Sequence, residues 1–129
     1  MVDASAGVEL CLSEAALERV SRYALRAPSL FRSEVAATLR RLEWSGSLLT
    51  GEVEEGIRRL PELPIELVPA DAEHLRRALE IARRFGWAKT YDSEYLALAE
   101  TDGVPILSID GRLARSVRGL VDVIAPDKL

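Results

Sequence analysis

A chain of 129 residues, 48% hydrophobic and 29% charged, has enough apolar material for one packed domain without covalent staples. Its formal net charge of −4 excludes non-specific, whole-surface binding to nucleic acid, though not a local basic site. One cysteine, Cys11, excludes an internal disulfide, and no apolar run reaches the length of a membrane span. The opening MVDASA lacks the basic segment and cleavage site of a secretion signal, so a reducing cytoplasm is the expected setting. Of the 17 cationic residues, 15 are Arg, which suits bidentate phosphate contact but follows equally from a GC-rich genome.

Met1–Asp3 reads as the stub of a strand. Two short helices follow, about Ser5 to Leu12 and Ser13 to Leu25, with Ser13 as N-cap of the second and Cys11 a small core residue of the first. Ala27-Pro28 interrupts, because Pro disfavours helix in the residue before it. A long helix is expected over Ser29 to Trp44, ended by Ser45-Gly46, and Thr50 caps another that runs to about Leu60. Pro61 and Pro64 bracket its end, and Ile65–Val68 forms a short strand. Asp71 caps a helix over Ala72 to Phe85, with Leu75, Ala78, Leu79 and Ala82 as its apolar stripe and Gly86 at its C′ position. Thr90 caps the next helix, to about Thr101, with Gly103 after it. Val104–Ser108 is a buried type of strand, Arg112–Val117 a short helix and Leu120–Ile124 the last strand. Strands alternating with helices predict a parallel sheet covered on both faces, with sites beyond the C-terminal ends of its strands.

Four acids stand in places costly for a carboxylate: Asp3, Glu34, Asp92 and Asp110. Asp3 and Asp110 close apolar runs. Glu34 lies at the edge of the Phe31, Val35, Leu39, Leu42 stripe. Steps of 100° per residue put Asp92 between Leu96 and Ala99, inside an apolar face shared with Tyr91 and Tyr95. Singly, Asp3 reads equally as a helix cap, Glu34 as a solvated flank and Asp110 as a turn residue beside Gly111. Asp92 sits in a first helical turn and could be a cap, although Thr90 already fits that position. Together the four suggest a divalent cation, and an all-oxygen donor set suits Mg²⁺ or Mn²⁺ rather than zinc. The one histidine, His74, lies far from these acids in sequence and is expected at the surface.

VDASA at 2–6, SEVAATL at 33–39, TYDSEYLALAE at 90–100 and LSIDGRL at 107–113 resemble, in order and spacing, the four motif segments of PIN-domain ribonucleases, above all the VapC-like toxins of type II toxin–antitoxin pairs. The resemblance spans essentially the whole chain. It implies a single domain over residues 1–129 with a three-layer α/β/α fold and a short central parallel sheet of about four strands. The family's acidic quartet falls on Asp3, Glu34, Asp92 and Asp110 as catalytic and metal-binding residues. Ser5 and Ser108 fall where small hydroxyl residues orient carboxylates or water, or serve only as turn and cap groups. Only Met1 and Val2 precede Asp3, where the family has a longer apolar strand.

The activity implied is Mg²⁺- or Mn²⁺-dependent hydrolysis of RNA phosphodiesters that leaves 5′-phosphate and 3′-hydroxyl ends. The partners implied are an RNA substrate, a cognate antitoxin protein and a second copy of the chain as a homodimer. Lys89 and Arg112, flanking the third and fourth acids, are the candidates for phosphate contact, with Arg115 behind them; each could equally be a solvated surface charge. Trp44 and Trp87 are assigned either to partner interfaces or to the core. A catalytically inactive PIN-like binding module is the alternative, although all four acids are present. A phosphotransferase on a doubly wound sheet fits poorly, since no second Asp follows Asp3 by two residues and no Gly-rich phosphate loop occurs.

Overall fold

The computed structural model describes residues 1–129. Its seven α-helices are α1 (Ala4–Leu12), α2 (Glu14–Val20), α3 (Phe31–Trp44), α4 (Thr50–Arg59), α5 (Ala72–Phe85), α6 (Tyr91–Asp102) and α7 (Gly111–Ser116). Four short strands accompany them: β1 (Leu25–Pro28), β2 (Ile65–Val68), β3 (Ile106–Leu107) and β4 (Val123–Ile124). The class is α/β with parallel strands, as expected. No helix is long and apolar enough to cross a membrane.

The strands form two parallel ribbons, β1 with β2 and β3 with β4. The first three residues join them. Val2 makes a single parallel bridge to Leu107. Its N–H donates to the Arg26 carbonyl at 2.9 Å, while Leu107 N–H donates to the Met1 carbonyl at 2.7 Å and Asp3 N–H to the Leu107 carbonyl at 3.1 Å. The hydrogen-bonded order is therefore β2, β1, Met1–Asp3, β3, β4. Short as this central segment is, Val2 is fully buried and bonded on both sides. Asp3 and Ser108 both stand at the C-terminal edge of this sheet, where parallel folds keep their sites.

α1 packs on α2, α3 and α4, while α5 packs on α6, which lies against β1 and β3. The core collects Phe31, Leu39, Ile81, Tyr95, Leu96 and Ile106 from these elements, each at most 2% exposed. Gly7 permits the closest helix contact: a Cβ there would stand 2.7 Å from Phe31 Cζ and from Val35 Cγ2.

Several elements depart from expectation. Helix α2 stops at Val20, and Leu25–Pro28, read as helix end and breaker, is strand β1. The strand is held by burial of Leu25, Ala27 and Pro28 and by ion pairing of Arg26 with Asp102 and, at 3.3 Å, Glu66. Pro28 is tolerated because it closes the strand. The last two strands are trimmed to two residues each. Thr50 is not a cap. Leu49 holds the N-cap position of α4, and its N–H donates to Glu52 Oε2 at 2.8 Å. Thr90 precedes α6 but makes no capping bond through its side chain. In α5 the buried face is Ala78, Ile81 and Ala82, leaving Leu75 and Leu79 exposed. Ser13 and Asp71 cap α2 and α5 as expected, and Gly86 ends α5 in the left-handed region at φ 70°.

Candidate active site

Asp3, Glu34, Asp92 and Asp110 each stand at the N-terminus of a helix. Asp3 is the N-cap of α1 and Asp110 that of α7, whereas Glu34 and Asp92 lie in the first turns of α3 and α6. Neither α3 nor α6 has a side-chain cap, so their first-turn N–H groups remain to favour an anion. Four positive helix ends thus offset four carboxylates, which is how one fold tolerates the acids together.

A chain of hydroxyls ties two of the acids. Asp3 Oδ1 accepts from Ala6 N–H at 2.8 Å and from the Ser5 hydroxyl at 2.7 Å. Ser5 Oγ accepts from Ile109 N–H at 3.0 Å and lies 3.1 Å from Ser108 Oγ. Ser5 has one proton and gives it to Asp3, so Ser108 is the donor in that contact. Ser108 Oγ accepts from Asp110 N–H at 3.0 Å, and Asp110 Oδ1 accepts from Arg112 N–H at 2.8 Å. Ser108 is 3% exposed. The first turn of α1 and the loop between β3 and α7 are thereby locked to each other.

The remaining acids close in electrostatically. Burial raises the Asp3 carboxyl above the usual range against the Ala6 N–H and the nearby Ser108 and Ser5 hydroxyls, and the Asp92 charge adds to the rise. Burial likewise raises Glu34, opposed by the Tyr95 hydroxyl and reinforced by Asp92, Asp3 and Glu94. The Tyr95 hydroxyl is buried near Glu34 but falls short of full hydrogen-bond geometry with any acceptor. Asp92 is raised first by burial and then by Asp110. Asp92 does not lie inside an apolar face. The residue is exposed at the mouth of the cleft, and Tyr91 beside it is 53% exposed. Its carboxyl is nevertheless raised because the surrounding walls displace water. Helix α6 is buried on every side from Ser93 to Ala99, so a helical projection has no face to report.

Glu34 and Asp92 line a cavity of about 510 Å³ with Gly86, Trp87, Ala88, Lys89 and Tyr91. No three acidic, histidine or cysteine side chains close around one point as a finished coordination shell. Like charges resist that approach, and a divalent cation is the group that relieves them. The donors available are all oxygen, from carboxylates and hydroxyls, and so fit Mg²⁺ or Mn²⁺ in chemistry.

Other candidates distribute as follows. Lys89 is exposed on the cavity wall beside Asp92. Arg112 is exposed, with its Nε 3.7 Å from Asp110 Oδ1. Arg115 lies in the last turn of α7, and Trp44 is 79% exposed at the far end of α3. Six further arginines are engaged in ion pairs, among them Arg59 and Arg58 with Glu55 and Arg77 with Glu100. His74 is not at the surface. Its imidazole is 12% exposed and faces Glu94 Oε1 at 3.9 Å across the α5–α6 contact. Burial lowers the His74 pKa and raises that of Glu94. Glu94, 8% exposed and close enough to Glu34 to raise it, escaped the sequence reading. The only signal for it was its place two residues after Asp92.

The PIN domain family matches residues 1–118. Two curated proteins of Mycobacterium tuberculosis are similar over most of their length. Ribonuclease VapC3 is 31% identical, covering 90% of this chain and 85% of that protein. Ribonuclease VapC12 is 32% identical, covering 90% of each. The crystal structure of PAE2754 from Pyrobaculum aerophilum superposes with a TM-score of 0.70 at 22% identity, over 94% of this chain and 81% of that one, a likeness of fold. With the match spanning all four acid-bearing helix ends, the chain belongs to the PIN-domain family, among its VapC-like ribonucleases.

Proposed function

We propose that this protein is a metal-dependent ribonuclease acting as the toxin of a toxin–antitoxin pair, with Asp3, Glu34, Asp92 and Asp110 as its cation-binding and catalytic acids. The observation that supports the reading is four carboxylates at helix N-termini near enough to repel one another, three of them raised by burial and that repulsion. Perturbed acids of this kind mark functional sites more often than structural ones. A bound Mg²⁺ or Mn²⁺ would supply Lewis acidity to a scissile phosphate and lower the pKa of an attacking water. The chain's own part is positional. Ser5 and Ser108 orient Asp3 and the Asp110 loop, Tyr95 faces Glu34, and Lys89 and Arg112 present positive charge to a phosphate backbone. An antitoxin and a second copy of the chain belong to the same proposal. Exposed Trp44 and Leu49, and Leu75 with Leu79 on α5, offer apolar surface for them.

The decisive variant is Asp92→Asn. Asp3→Ala removes the cap of α1 as well as a carboxylate and so mixes two effects. Asp92→Asn is expected to keep the fold and lose Mg²⁺- or Mn²⁺-dependent cleavage of RNA. Cleavage at the parental rate by purified Asp92→Asn protein would overturn the assignment. A non-catalytic binding module predicts no cleavage by the parent and no rise in melting temperature with millimolar-range Mn²⁺.

A further inference from the structure

The cavity that holds Glu34 and Asp92 has an aromatic wall that cation binding does not require. Trp87 and Tyr91 line it, with Lys89 between them in sequence. Trp87 is held in place by the backbone. Its N–H donates to the Ala82 carbonyl at 2.8 Å and Gly86 N–H to the Arg83 carbonyl at 3.2 Å, the paired bonds of a Schellman end to α5. Gly86 takes the left-handed conformation that this turn demands. The indole stacks on Phe85 with ring centroids 5.0 Å apart and planes 24° from parallel, so Phe85 backs it from behind. Tyr91 opens α6 with 53% of its surface exposed. Lys89 is exposed, and no carboxylate lies within ion-pair distance of it.

A half-buried aromatic plane fixed by its neighbours, an exposed second ring of Tyr91 and a free ammonium group suit a single-stranded nucleic acid. Its bases offer π-faces to stack and its backbone a negative charge every nucleotide. A duplex keeps its bases stacked on one another and has no face to lend. Apolar protein side chains would use the rings, but not the ammonium beside them. Resting on the ribonuclease reading, we infer that Trp87, with Tyr91, stacks an unpaired base of the RNA next to the acidic cleft while Lys89 meets the adjoining phosphate.

The test uses the full chain with Trp44→Phe, so that Trp87 alone reports fluorescence, and with Asp110→Asn to suppress cleavage. A 12-nucleotide single-stranded RNA of mixed sequence, titrated in Mg²⁺, is expected to quench Trp87, and the same RNA annealed to its complement to bind more weakly. Trp87→Leu and Tyr91→Ala should each weaken binding, followed by anisotropy of labelled RNA, by roughly five- to a hundredfold for Trp87→Leu and less for Tyr91→Ala. Trp87→Phe should restore most of the loss. With Asp110 retained, Trp87→Leu should raise KM for the single strand and leave kcat nearly unchanged. Unchanged affinity and KM in Trp87→Leu and Tyr91→Ala, with the parent still cleaving RNA, would overturn stacking alone and leave the wall to a protein partner. A parent that cleaves no RNA in Mg²⁺ or Mn²⁺, yet binds it in a Trp87-dependent way, would overturn the ribonuclease reading and keep the stacking.

Discussion

Gly7→Ala tests whether the spacing of α1 and α3 sets the geometry of the acids. The added Cβ would meet Phe31 Cζ and Val35 Cγ2 at 2.7 Å and Phe31 Cε2 at 2.8 Å. Carbon atoms rest at about 3.5–4.0 Å, so the helices must part by roughly 1 Å or the side chains must leave their rotamers. Phe31 and Val35 are at most 1% exposed and have nowhere to go. Overpacking of this kind costs about 1–3 kcal/mol, offset by about 0.5–1 kcal/mol for replacing Gly in a helix, and the net is a destabilisation of about 1–2 kcal/mol. The displacement falls where it matters, since α1 starts from Asp3 and Glu34 directly precedes Val35. A shift near 1 Å can cost up to about a hundredfold in rate. Urea unfolding followed by circular dichroism measures the first effect, and the Mg²⁺ concentration for half-maximal RNA cleavage measures the second. Gly51→Ala, inside α4 and with nothing within 4 Å of its Cβ, is the control: it should show only the helix gain of about 0.5–1 kcal/mol and leave the Mg²⁺ requirement unchanged. A Gly7→Ala protein as stable as its parent, with the same Mg²⁺ requirement, would refute the reasoning.

The raised carboxyls also predict a pH dependence of stability. Asp3 and Asp92 lie above 3.8 and Glu34 above 4.5, so the folded state binds more protons than the unfolded one between those values and the raised ones. Their contribution is full below the ordinary values and is lost as pH rises through the raised ones. His74 acts the other way: its pKa lies below 6.5, so its contribution is present above 6.5 and lost as pH falls toward the lowered value. Melting temperatures in EDTA from about pH 4 to pH 8 should therefore show Asp92→Asn gaining on the parent toward neutral pH, and saturating Mg²⁺ should shrink that gain. A constant difference across the range would contradict the raised pKa. Ser108→Ala removes the acceptor for Asp110 N–H and the donor to Ser5, and should cost about 1–2 kcal/mol in urea unfolding and slow cleavage. Arg112→Ala, an exposed site, should leave stability unchanged and lower the slope of log affinity against log salt by about 1. An unaltered slope would remove Arg112 from the RNA contact.

Much of the architecture could be read from single residues with a defined chemical task. Ser13, Asp71 and Gly86 announced helix ends because caps and left-handed turns admit few residue types. The four acids were found through the same logic, though for Asp92 the argument was misdirected. Its helix is buried all round, and what singles the residue out is its place at an uncapped N-terminus facing other acids. Strand β1 was hidden because LRAP carries neither alternation nor branched side chains. It is a strand because β2 and Val2 pair with it, a long-range fact. Glu94 was overlooked and His74 misplaced at the surface for a related reason, since each is buried by the other's helix rather than by its own pattern.

The three residues that stitch the sheet together stand far ahead of their partners along the chain. The Met1 amine binds the Pro105 carbonyl and Ser5 binds Ile109 N–H, each across 104 residues. A growing chain therefore holds Asp3, Glu34 and Asp92 on the ribosome before it has anything to fasten Asp3 against, and Asp110 comes later still. At about 5–20 residues per second the first carboxylate waits several seconds for the last. No shorter product of translation contains the assembled cleft.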